Sequence, residues 1–213
     1  MKMREQIVAK HLLQIKAIKL EPAKPFLWAS GWHSPVYCDN RLVLSFPVTR
    51  NFISESFCDL VRSVYPSAGV IAGVATGAIA HGALVADRLG LPFAYVRPSP
   101  KAHGLENLIE GRVNAGDRVV VIEDLVSTGK SSLKAVEALR SAGCEVMGML
   151  AIFTYGFYIA AENFSKQSCQ LHALTNYDTL IMVAQDMGII NPDQLETLTE
   201  WRKKPDDWGS INQ

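Results

Sequence analysis

The chain has 213 residues, with 21 basic and 21 acidic side chains and 48% hydrophobic residues. Balanced charge and an ordinary apolar fraction exclude a disordered chain and give no electrostatic reason to expect nucleic acid or a membrane surface as partner. What remains is a small-molecule protein, expected as one α/β domain over residues 1–213.

The N-terminus MKMREQIVAK lacks the apolar core of a signal peptide. The least charged run, Gly69 to Ala86, is interrupted by Gly, Thr and His and does not read as a membrane span. A cytoplasmic protein is the expectation. Cysteines at 38, 58, 144 and 169 form no CxxC pair, and the five histidines form no HExxH. Neither a zinc site nor a disulfide framework is suggested, and the thiols read as free and buried.

In chain order, Ile7, Val8, Leu12, Ile15 and Ile18 recur at helical spacing and predict a helix over about 3–20, ended by EPAKP. The aromatic and β-branched stretch from Pro25 to Pro47, punctuated by Ser-Gly and Ser-Pro, predicts short strands joined by turns. Ile53, Phe57, Leu60, Val61 and Val64 form one apolar helical face over 51–64. GVIAGV then reads as a buried strand, TGAIAHGALVADRLG as a helix stopped by Gly90, and LPFAYVR as a second strand. RVVVIED is a third strand, SSLKAVEALRSAG a helix, and EVMGMLAIFTY a fourth strand. Strands alternating with helices require crossovers, and hence a mainly parallel central sheet flanked by helices. Helices are predicted around 156–166, 177–188 and 192–203, peripheral to the sheet. The chain thus divides into an N-terminal hood segment (1–48), a core (50–155) and covering helices (156–213).

The stretch VVVIEDLVSTGKS, Val119 to Ser131, sets two carboxylates at the end of an apolar run and follows them with a Ser/Thr/Gly loop. Such a loop lies between the carboxyl end of a strand and the amino end of a helix, where open α/β sheets place their ligands. Backbone N–H groups at the helix start, with the Ser127, Thr128 and Ser131 hydroxyls, suit a phosphate. A Walker A loop would need glycine where Asp124 stands, which disfavours a nucleotide triphosphatase. A surface strand end followed by an ordinary Ser/Thr helix cap fits the same residues.

This pattern resembles the 5-phosphoribosyl 1-pyrophosphate (PRPP) motif of the type I phosphoribosyltransferases. In that family the acidic pair faces the ribose hydroxyls and the loop wraps the 5′-phosphate. The resemblance therefore implies Glu123 and Asp124 as ribose contacts and Leu125, Val126, Ser127, Thr128, Gly129, Lys130 and Ser131 as the phosphate loop. SGWHSPVYCDNR (30–41) resembles the SGxxSPxYxD signature of the orotate phosphoribosyltransferases, and RPSPKAHG (97–104) resembles their catalytic loop. Three motifs in the family's order, within a resemblance that runs from about Lys19 to Tyr155, imply its fold and its reaction: orotate and PRPP giving orotidine 5′-monophosphate and pyrophosphate. The SGWHSPVY segment argues against a purine-specific relative, and neutral charge argues against a PRPP-sensing regulator that binds nucleic acid.

The resemblance implies that Arg97, Lys101 and His103 would supply cationic or proton-donating groups to the leaving pyrophosphate. The resemblance makes Lys101, His103 and Asp124 the catalytic set, with Mg²⁺ as cofactor carried by PRPP rather than by protein ligands. Pro98, Pro100, Gly104 and Gly111 frame a segment long enough to act as a lid. In the family this loop reaches the neighbouring subunit's site, which implies a homodimer with shared active sites. Orotate recognition is assigned to Lys19, Ser30, Gly31, Tyr37 and Ser127. Trp28, Trp32 or Tyr37 could flank the planar ring, but Trp28 and Trp32 fit half-buried strand positions equally well and stay outside the candidate set.

Three departures from the family pattern stand out. Thr76-Gly77 replaces a Tyr-Lys pair, so the backbone N–H groups of Thr76 and Gly77 are the substitute for the lysine in holding PRPP. Pro98 occupies the second position of the usual Arg-Lys-x-x-Lys, and an orotate-binding arginine is replaced around Tyr155.

Overall fold

A computed structural model describes residues 2–28, 31–99, 108–206 and 208. The first helix, α1 (Lys2–Gln14), buries Val8, Ala9, Leu12 and Leu13. It is shorter than the spacing predicts, because Lys16 takes a left-handed turn at φ 58° and redirects the chain. Ile18 continues the helical period in sequence but enters a strand, β1 (Ile18–Leu20).

Three further short strands follow, as expected of the aromatic stretch: β2 (Phe26–Leu27), β3 (His33–Ser34) and β4 (Val36–Cys38). β1 pairs antiparallel with β4, and β2 with β3, giving two small sheets in the N-terminal hood. A 3-10 helix, Asn40–Ser45, is capped by the Asp39 carboxylate. Next comes α2 (Pro47–Val64), which starts four residues before the predicted Asn51 because proline suits a helix's first turn.

The core alternates β5 (Val70–Val74), α3 (Ile79–Leu89), β6 (Phe93–Val96), β7 (Ile109–Glu110), β8 (Arg118–Val126), α4 (Lys130–Ser141) and β9 (Glu145–Thr154). Gly90 ends α3 in the left-handed conformation, φ 65°, as its position predicts. After α5 (Tyr158–Lys166) comes β10 (Leu171–Asn176), then α6 (Tyr177–Asp186) and α7 (Pro192–Lys203). The strand β10 corrects the expectation of helices alone beyond 156. It pairs parallel with β9 and extends the sheet to the order β10-β9-β8-β5-β6-β7, with only β7 antiparallel.

Alternate residues of each strand feed opposite faces. Ile71, Val120, Ile122, Leu150 and Leu174 pack with α1, α2, α3 and α6, whereas Val70, Ala72, Val119, Val121 and Met149 pack with α4 and α5. Burial on both faces explains why these strands read as continuous apolar runs. Cys58, Cys144 and Cys169 are buried and Cys38 half-buried, all free. Among the described residues no helix is long and apolar enough to cross a membrane, and no three His, Cys, Asp or Glu side chains group to hold a metal.

Candidate active site

Neighbouring strands β5 and β8 run parallel, from Val70 beside Val119 to Gly73 beside Ile122. β5 leads through α3 on one face to β6, and β8 leads through α4 on the other face to β9. The two connections diverge, which opens a crevice beyond the carboxyl ends of β5 and β8. The loop 75–78 and the loop 127–129 border it.

The acidic pair ends β8, and its two members are placed differently. Asp124 is half-buried, and its carboxylate lies directly against the Cα of Gly77, where any side-chain atom would collide with it. Gly77 thus gives this carboxylate its room. Glu123 is only 5% exposed; its Oε2 accepts a hydrogen bond from Ser132 Oγ at 2.8 Å and its Oε1 one from the Asp124 N–H at 2.9 Å. Burial above all, and then the neighbouring Asp124 charge, push the Glu123 carboxyl well above its usual range. Both acids are expected at the ribose; Glu123 is buried with both carboxylate oxygens bonded, whereas Asp124 is half-buried where it faces Gly77. Asn40 fixes the strand end from the hood, its Nδ2 donating to the Asp124 carbonyl at 2.6 Å.

Leu125 and Val126 complete β8, with Val126 buried. Ser127 and Thr128 are half-buried, and Gly129 begins α4 in a left-handed conformation, φ 77°. A Cβ on Gly129 would stand 2.7 Å from the Phe164 ring, so only glycine turns the chain here. No side chain caps α4, which leaves its first N–H groups facing the loop. The Asn163 amide braces the loop by donating to the Thr128 carbonyl at 3.0 Å. Lys130 is exposed and, away from the crevice, lines a cleft between α4 and α5 with Lys134, Asn163 and Lys166. The Ser131 side chain is exposed at the same helix start.

Beside the crevice, under the hood, is a cavity of about 320 Å³ lined by Leu27, Trp28, Tyr37, Cys38, Leu125, Ser127 and Tyr155. Mostly apolar walls with a few polar groups suit a planar ring carrying carbonyls. Tyr155 is fixed there because its N–H donates to the Val126 carbonyl at 3.1 Å, setting it beside the end of β8. The Trp28 and Tyr155 rings lie 5.1 Å apart. Burial, followed by the nearby Asp124 and Asp39 charges, raises the Cys38 thiol well above its usual range. Burial likewise raises the Tyr155 phenol. Both groups are therefore neutral and put no negative charge into the cavity.

Among the residues assigned to the base, Tyr37 and Ser127 line the cavity. Lys19 pairs with Tyr37 across β1 and β4, which puts its exposed side chain on the same face. Gly31 turns at φ 87° in open space, its N–H bonded to the Trp28 carbonyl. Ser30, Lys101 and His103 lie outside the described residues. Trp28 is half-buried, as the sequence allows, and is also a cavity wall; Leu27, Cys38 and Tyr155 line the cavity without being among the residues assigned to the base, and Asn40 braces the end of β8. Cys38 and Asn40 stand inside the SGWHSPVYCDNR motif, so that motif carried the signal.

At the crevice's other border, Arg97 Nη1 lies 3.5 Å from Glu110 Oε1. The Arg97 N–H donates to the Leu108 carbonyl at 2.8 Å, closing the base of the excursion between β6 and β7. The pairing of Ile109 and Glu110 with β6 ends this excursion short of Gly111, the residue expected to frame its far end. Thr76 is exposed and Gly77 half-buried in the facing loop.

Residues 59–173, more than half of the chain, match the family model for the Phosphoribosyl transferase domain. The chain is 57% identical over 201 residues to an orotate phosphoribosyltransferase of Cytophaga hutchinsonii, covering 94% of this chain and 96% of that protein. A solved orotate phosphoribosyltransferase from Aeropyrum pernix is similar with a TM-score of 0.75 at 29% identity, over 86% of this chain and 99% of that one. The UMP synthase of Leishmania donovani is similar with a TM-score of 0.79 at 25% identity over 94% of this chain, which spans 42% of that longer chain.

Proposed function

This chain belongs to the orotate phosphoribosyltransferases, and on that premise we propose that the crevice beyond β5 and β8 binds PRPP and the adjoining cavity binds orotate. The reaction moves the 5-phosphoribosyl group of PRPP to a ring nitrogen of orotate, giving orotidine 5′-monophosphate and pyrophosphate for pyrimidine nucleotide synthesis. One observation carries the placement. Asp124 borders the crevice while Leu125 and Ser127, one and three residues on, line the cavity, so one strand end presents both substrates to each other.

In this reading the Asp124 carboxylate accepts hydrogen bonds from the ribose hydroxyls. Glu123 braces it from below through Ser132 and the strand backbone. The segment Leu125–Ser131 wraps the 5′-phosphate, using the uncapped N–H groups of α4. Backbone groups of Thr76 and Gly77 serve the diphosphate. Tyr37, Ser127 and the neighbouring Lys19, with Ser30 and Gly31, hold orotate, whose negative charge meets a cavity with neutral Cys38 and Tyr155.

Breaking the bond at ribose C1 concentrates negative charge on the departing pyrophosphate, and Arg97, Lys101 and His103 answer it. Closure of the segment rooted at Arg97 and Leu108 would exclude water from a cationic sugar transition state. Positioning two substrates suffices, and no covalent enzyme intermediate is needed. Mg²⁺ bound with the diphosphate would neutralise part of its charge. We also place the enzyme in the cytoplasm as a homodimer whose lid segments reach across to the partner's site; exposed Leu42, Phe46 and Val48 offer apolar surface for pairing.

The test is the loss of orotate absorbance on adding PRPP and Mg²⁺. Asp124→Asn should reduce turnover by about 100-fold or more while orotate still binds. An unchanged rate from this variant would reject the placement.

A further inference from the structure

The cavity assigned to orotate has walls from two places far apart in sequence: Leu27 and Trp28 from the hood, and Tyr155 from the end of β9. Each wall has its own local bonds, Trp28 Nε1 to the Val36 carbonyl at 3.0 Å and the Tyr155 N–H to the Val126 carbonyl at 3.1 Å, but none of these ties the hood to the end of β9. The hood hairpin has only two paired residues on each strand, and Tyr155 sits in the turn between β9 and α5. Trp201, on α7, is fully buried behind both walls but is not among the cavity-lining residues. Its ring meets Trp28 at 5.9 Å and 81°, and Tyr155 at 5.8 Å and 72°, edge-on in each case. Its indole N–H donates to the His33 carbonyl of the hairpin at 3.3 Å, across 168 positions of sequence.

The next residue completes the clamp. Arg202 Nη2 donates to the Gly156 carbonyl at 2.5 Å, and its guanidinium lies 5.3 Å over the Phe157 ring and 5.7 Å over Tyr177. Phe157 in turn stacks on Tyr155 at 5.3 Å, nearly parallel at 6°. One turn of α7 therefore holds the hood hairpin through Trp201 and the post-β9 turn through both residues.

We infer that Trp201, seconded by Arg202, is a positioning residue for the base: α7 backs the joined wall formed by the touching Trp28 and Tyr155 rings, sets how that wall faces the cavity and thereby sets the affinity for orotate, without touching it. This rests on the reading of the cavity as the orotate site. The crevice for PRPP is built from β5, β8 and α4, and Trp201 makes none of its contacts.

The experiment compares Trp201→Phe, Trp201→Leu and Tyr37→Ala proteins by KM for orotate, KM for PRPP and kcat, with thermal unfolding alongside. Trp201→Phe keeps an aromatic ring but loses the His33 bond, and should raise KM for orotate by about threefold to tenfold. Trp201→Leu also loses both edge contacts and should raise it by at least about tenfold. In both, KM for PRPP should stay within about twofold, whereas a loss of structure alone would lower the active fraction and leave KM unchanged. If the leucine variant does not fold, the phenylalanine variant decides. Trp201→Phe with an unaltered orotate KM, or with both KM values raised equally, overturns the inference. Tyr37→Ala separates the two levels: it changes a cavity wall directly, so an unaltered orotate KM in that protein would refute the cavity itself.

Discussion

Replacing Gly77 by alanine tests the crevice at its tightest point. A Cβ there would stand 2.7 Å from Asp124 Oδ1 and nearer still to Oδ2, against 3.4 Å for ordinary contact. The carboxylate, or the loop 75–78, must therefore retreat by roughly 1 Å, a misplacement that costs about 100-fold in a positioned reaction. That corresponds to about 2.7 kcal/mol of lost transition-state stabilisation. The fold should suffer little, because Gly77 is not in a left-handed conformation and the obstructing group is the end of a side chain. Stability should stay within about 1 kcal/mol of the parent, since alanine also restricts the unfolded chain. Gly69→Ala is the control, since the nearest atom to its Cβ is a carbonyl oxygen 3.8 Å away. Initial rates with varied PRPP, paired with urea unfolding, give both quantities. Gly77→Ala with the parent's kcat/KM for PRPP would refute the placement of Asp124, as would a loss of activity fully matched by unfolding.

Ser132→Ala removes the hydroxyl that bonds buried Glu123 and should cost about 1–3 kcal/mol, measured by denaturant unfolding. Glu123 also sets a pH dependence: with its folded value raised, it contributes stability that is full below pH 4.5 and is lost as pH rises through the raised value. Glu123→Gln should therefore gain stability relative to the parent as pH rises above 4.5, and a parallel pair of pH–stability curves would contradict this. Mixing inactive Lys101→Ala and Asp124→Asn proteins after unfolding and refolding should restore about a quarter of parental activity if lid segments cross between subunits. No recovery would mean that each subunit works alone.

Where neighbouring residues decide a feature, the sequence displayed it. Val119 to Val121 announced a buried strand, Gly90 a helix stop, and Ser127–Ser131 a loop leading into a helix start. Ile18 misled because it keeps the helical period while Lys16, a residue with no turn signature, reverses the chain. β10 was hidden because LHALTN is short and interrupted by His172 and Thr175, and sheet pairing with β9 decides its state. The site divides in the same way. The acidic pair is visible as two letters, but the inward turn of Glu123 depends on Ser132, and the room for Asp124 depends on Gly77. Trp28 became a wall only because Tyr155 and Trp201 arrive from the other end of the chain.

The most direct test of the two-site arrangement is a crystal structure with orotate and PRPP bound, or with orotidine 5′-monophosphate. The base should lie in the cavity against Trp28 and Tyr155, the ribose hydroxyls on Asp124, and the 5′-phosphate on the N–H groups of 127–131. A base outside that cavity, or a ribose with no contact to Asp124, would contradict the account.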